Sequence, residues 1–265
     1  MRGLPVGIAL CLVLAFACGH KDESAPRRTG PALPAVPALG ADVRRRAPTP
    51  NATTADTSEC HGASVDPEPT MLEETIGRLQ GARNLPAAYA ELLALSLQYP
   101  NSATLRVRAA GVALQSTPPR SQDAARLYAE SIRLHDNHCT LAPRDLWIAL
   151  QGMAVAHMQE GEFGAAIPWL ERGSREFASA PPTRYNHACA LCRTDHVEGC
   201  ITELTAVVDH VLANDAPPFV SYQDQRTAAD YLALFNSDAD LAPARHDARF
   251  ATLVERLGAT AIDTR

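Results

Sequence analysis

His187, Cys189, Cys192, His196 and Cys200 fall within fourteen residues. Imidazole and thiolate groups at such spacings are the donor set of a zinc or copper site. Cys189, Cys192 and His196 stand at i, i+3 and i+7, but Thr194-Asp195-His196 reads as a turn, so the three do not share one helix. A buried cysteine also serves as a small hydrophobe, and Cys200 falls where a small residue is wanted. A structural role is therefore preferred. A metal- or redox-active protein using His187, Cys189, Cys192 and Cys200 is the alternative. Cys189-Ala190-Leu191-Cys192-Arg193 lacks the histidine of covalent haem attachment, and no βαβ pattern surrounds the pair. No GxSxG, HExxH or phosphate-binding loop occurs. Glu171 and Glu176, or Asp238 and Asp240, read as solvated carboxylates. The expectation is no catalysis and no cofactor. Cys60 is isolated with His61; it could join a partner or Cys139, and spacing favours neither.

The elements that must position these residues are helical. Of 265 residues, 46% are apolar and 20% charged, enough to build a core. The net charge of −6 argues against nucleic acid as a partner. From about Pro69 onward the apolar residues keep helical periods, glycines are few and strand alternation is absent. The prolines crowd between residues 26 and 69 instead, in a segment without aromatics or periodicity. Such a chain cannot bury enough surface to offset its ordering entropy, so 18–68 is expected to be a disordered tether.

Ahead of it, Met1-Arg2 is a basic start and Leu4 to Ala17 an uncharged apolar run. That run is short for a membrane span and suits a secretory signal over 1–17. Ala15-Phe16-Ala17-Cys18 resembles the lipobox of bacterial lipoproteins, with Ala15 where leucine is commonest. The resemblance implies that Cys18 becomes the acylated (palmitate-type) N-terminus, anchoring the protein without a span. Gly19, in place of Asp, implies the outer membrane, facing the periplasm.

A 34-residue self-similarity then emerges. Offset by 34, Ala154 falls on Ala188, Ala166 on Cys200 and Leu170 on Leu204. The pattern resembles the tetratricopeptide repeat, a helix–turn–helix unit. Leu150, Met153, Ala154 and His157 take its first-helix positions, Gly161 and Phe163 the turn, and Ala166, Leu170 and Gly173 the second helix. His157 and Ala178 replace the usual tyrosine and proline. Two clear repeats cover 147–214 and two degenerate ones 69–136, where Leu72, Ile76 and Leu79 precede Ala88, Leu92, Leu95 and Pro100. Helices are expected over 105–115 and 122–135, with Ser121 as N-cap. The spacing to Trp147 implies about ten inserted residues, shared between the loop 117–121 and His135-Asp136-Asn137-His138-Cys139-Thr140-Leu141-Ala142-Pro143. In 215–265, a helix near Tyr222–Phe235 and a final helix Ala248–Leu257 would cap an open stack. The fold expected is an all-α solenoid of about four repeats with a C-terminal cap.

The resemblance implies a protein-binding groove lined by first-helix residues: Gln151, Val155, Met158 and Gln159, then Tyr185, Asn186, Cys189, Cys192 and Arg193. It implies a partner that is another envelope protein, offering an extended or helical segment. The same register sets Cys200 opposite Ala188 and Cys192 about 6 Å further along, directed at the groove. A Cys192–Cys200 disulfide is therefore not expected.

Overall fold

The computed structural model describes residues 84–215 and 226–263. The signal segment, Cys18, the tether with Cys60, the helix expected around Leu72–Leu79 and Pro217-Pro218 lie outside the described residues. Among the described residues all regular structure is helical: α1 (Leu85–Gln98), α2 (Ala103–Gln115), α3 (Ser121–Asp136), α4 (Pro143–Gln159), α5 (Phe163–Glu176), α6 (Pro181–Arg193), α7 (Val197–Ala213), α8 (Ala228–Ser237), a 3₁₀ segment (Ala239–His246) and α9 (Ala248–Asp263).

Local chemistry sets many of these boundaries. Asn84 and Ser102 cap α1 and α2 by accepting from the backbone N–H groups of Ala87 and Leu105, each at 3.1 Å. Pro143 and Pro181 open α4 and α6, where no intrahelical N–H is required. Ser121 is not the cap expected of it. It lies inside α3, and its hydroxyl donates to Gln159 Oε1 at 2.9 Å.

Each helix from α1 to α7 packs on the next, and α2, α4 and α6 also touch in order, forming an inner row. The two rows differ as their sequences require. α5 buries only Ala166, Leu170 and Gly173, a single stripe at i, i+4 and i+7. α4 is buried on every side, without interruption from Asp145 to Ala156. Ala154 and Ala166, the small residues expected where paired helices approach, are both fully buried.

The repeat is visible in the turns. Gly161, between α4 and α5, and Asp195, between α6 and α7, both have positive φ, at 80° and 61°. Gly161 N–H donates to Met158 O and Glu162 N–H to His157 O; Asp195 N–H donates to Cys192 O and His196 N–H to Leu191 O. Every partner is displaced by 34. The ten extra residues upstream are not confined to the two loops expected to hold them: α3 is 16 residues against 14 in α5, and α4 is 17 against 13 in α6. The remainder lies in the connecting loops.

Candidate functional site

Seven of the nine expected groove residues, Gln151, Val155, Met158, Tyr185, Asn186, Cys189 and Cys192, are buried. Gln159 is half-buried, and only Arg193 is exposed. The expectation of an open groove along these positions is corrected, for two physical reasons.

The first is a polar network inside the inner row. Trp147 Nε1 donates to Thr183 Oγ1 at 2.9 Å, and Gln151 Nε2 donates to the same oxygen. Asn186 Nδ2 donates to Gln151 Oε1 at 2.9 Å. The amides join α4 to α6 and so satisfy each other; Gln151 is 1% exposed. The sequence carried a signal for this. Gln151 and Asn186 are polar residues on helices otherwise buried all round, and such residues need partners in the interior.

The second is the chain's own closing segment, which is seated on α6. Tyr185 OH donates to Asp238 Oδ2 at 2.6 Å, and Cys189 Sγ stands 3.8 Å from that oxygen. Asp238 Oδ1 accepts from Asp240 N–H, and Arg245 donates to the carbonyls of Phe235 and Asp238. Arg193 Nη1 lies 3.5 Å from Asp240 Oδ1 and its guanidinium covers the Phe163 ring. Asp238 and Asp240 are therefore buried rather than solvated, at 5% and 3% exposure. Beneath them Tyr185, Phe235 and Phe250 stack in series.

Cys192 and Cys200 form a disulfide, with Cα atoms 5.4 Å apart. The contrary expectation failed on one angle. Cys192 is fully buried, facing α7 and not the groove, because the short turn 194–196 holds the end of α6 against the start of α7. The 34-residue register is intact. One repeat earlier the same two places hold Met158 and Ala166, both buried in the same core. Cys139 is disulfide-bonded too, whereas Cys189 is a buried thiol.

The His/Cys set does not converge on a metal. Two of its sulfurs are bonded to each other, Cys189 abuts Asp238, and His187 Nδ1 lies 3.3 Å from Glu203 Oε1. Burial pushes the Glu203 carboxyl up, yet His187 and Arg184 together hold it below its ordinary value. Among the described residues no three His, Cys, Asp or Glu side chains are grouped to hold a metal ion. Nor, among them, is any helix long and apolar enough to cross a membrane.

No family model matches the chain, and neither does any curated protein or solved structure.

Proposed function

We propose that the chain is an exported, lipid-anchored protein of the tetratricopeptide-repeat family, held at the outer membrane and facing the periplasm. Its stacked hairpins bind another envelope protein and catalyse nothing. The observation that carries the family reading is the recurrence of one turn geometry, one hydrogen-bond pattern and one pair of buried small residues at an interval of 34 residues. A stack of such units is suited to presenting an extended surface to a partner.

The disulfides support export, since such bonds persist in oxidising compartments. Cys18 is the acylated residue on this reading. The binding surface is smaller than the repeat pattern alone implies. Tyr185 and Cys189 are given over to the closing segment, and Gln151 and Asn186 to each other, leaving Gln159 and Arg193 as its accessible members.

The test joins both parts of the reading. Cys18→Ala should move the signal-cleaved protein from the membrane pellet to the soluble envelope fraction. A photo-crosslinking amino acid at position 159 or 193 should trap one partner that the same group at exposed Glu171, on the outer row, does not. A Cys18→Ala protein that stays in the pellet would refute the anchor. Equal trapping at 171 would refute the surface.

A further inference from the structure

The α3–α4 corner is held by several hydrogen bonds. Cys139 is 4% exposed, and its N–H donates to Leu134 O at 2.9 Å. His138 before it has φ 71°, and Leu141 N–H donates to His135 Nδ1 at 3.0 Å. In this fixed setting Cys139 is half of a disulfide. Of the seven cysteines, Cys192 and Cys200 bond each other and Cys189 is a thiol. The other half is therefore Cys11, Cys18 or Cys60.

We infer that it is Cys60, and that this bond clamps the membrane tether onto the corner between α3 and α4. The inference rests on the lipoprotein reading above, in which Cys11 leaves with the signal peptide and the Cys18 sulfur carries the lipid. It adds a point of attachment that reading does not contain. Forming the bond removes two electrons and two protons from two thiols. A disulfide-bearing oxidoreductase of the envelope accepts them by thiol–disulfide exchange and becomes a dithiol.

The clamp splits the tether in two. Only 19–59 then separate the anchor from the attachment point, and the chain from 61 to α1 is joined to the stack at both ends. At up to ~3.1 Å per residue, the reach from Cys18 falls from roughly 155 Å over 18–68 to roughly 130 Å over 18–60. It also changes where a pull from the membrane is felt. Without it, tension enters through the residues that lead into α1. With it, tension enters at the α3–α4 corner, where Cys139 and Leu141 are buried. Successive hairpins turn at alternate edges. The clamp therefore sets the edge bearing loops 99–102, 137–142 and 177–180 toward the membrane.

Tryptic mapping of the native, full-length, alkylated protein without reductant tests this. Peptide 47–78, which holds Cys60, should be recovered linked to peptide 134–144, which holds Cys139, in most molecules, and the pair should part on reduction. Recovery of 134–144 linked to a peptide containing Cys18, or alkylated Cys60 in most molecules, would overturn the inference. Cys60→Ser should leave Cys139 alkylatable, whereas Cys18→Ala should not. The mass of the N-terminal peptide reports acylation separately. A 47–78/134–144 link beside an unacylated Cys18 would sink the lipoprotein reading and keep the clamp.

Discussion

Tyr128 covers Gly152 so closely that a β-carbon on the glycine would lie 2.2 Å from Tyr128 Cζ and 2.5 Å from its hydroxyl oxygen. The ring comes from α3, the glycine from the middle of α4, and both are buried. The tyrosine cannot swing aside, because it is among the most deeply enclosed side chains of the chain. Gly152→Ala should therefore cost about 1–3 kcal/mol in denaturant unfolding. The same substitution in a Tyr128→Leu background should cost much less. Additive effects would show that the two residues do not share this space.

The paired turns respond oppositely to substitution. A β-carbon on Gly161 would meet nothing within 4 Å, yet φ is 80°. Gly161→Ala should thus destabilise by about 1 kcal/mol through backbone conformation alone. Asp195→Gly, at the equivalent turn, should stabilise by about 0.5 kcal/mol, since Asp tolerates this region at a small cost. Thermal melts of both variants check the signs, and a gain from Gly161→Ala would contradict the shared geometry.

Gln151→Leu strands the Asn186 amide and takes one donor from Thr183 in a buried setting. A loss of about 1–3 kcal/mol is expected. A melting temperature within error of the parent would mean that Gln151 faces solvent after all.

Acid should loosen the junction of α9 with α7. Arg249 meets Glu198 at 2.8 and 2.7 Å and also grips Asp247. Hydrogen bonds from the Arg249 side chain and backbone bring Asp247 down to about 2 from 3.8, and the Arg249 side-chain hydrogen bond and charge also depress Glu198. A carboxylate depressed in the folded state adds stability above its unfolded value, and the contribution disappears as pH falls through the folded one. The loss should run from about pH 4 down to about pH 2. These groups are exposed, so the effect is modest and shrinks in salt. Arg249→Ala should flatten that part of the acid limb; an unchanged profile at low salt would count against the linkage.

The hairpins from 143 to 213 were legible because their periodicity, the Ala154/Ala166 pairing and Gly161 all report local geometry. The upstream insertion was legible as a number and only in part as a place: the two loops hold a share of it, but the rest lengthens α3 and α4, and extra helical turns keep the same period as the helices they lengthen. Gln151 and Asn186 were misplaced because a repeat position says which way a side chain leaves its helix and not what meets it. Cys192 was misplaced for a related reason. Which side of α6 faces α7 depends on how tightly 194–196 turns, and the period of α6 does not encode that. Asp238 and Asp240 looked solvated because nothing in their own neighbourhood names α6 as the surface on which they dock.

The contacts among Tyr185, Asp238 and Asp240 bear on how this chain can change length over generations. A repeat array grows by duplicating a hairpin, and a duplicate fits only beside a flank that is free to receive it. Here the flank of α6 is taken by two buried carboxylates and the Arg245 guanidinium that braces them. A hairpin duplicated after residue 213 would have to displace them, whereas one copied upstream meets no such lock among the described residues. Natural length variants should therefore gain or lose units on the N-terminal side of α6 and carry the terminal block from Asp238 to α9 unchanged.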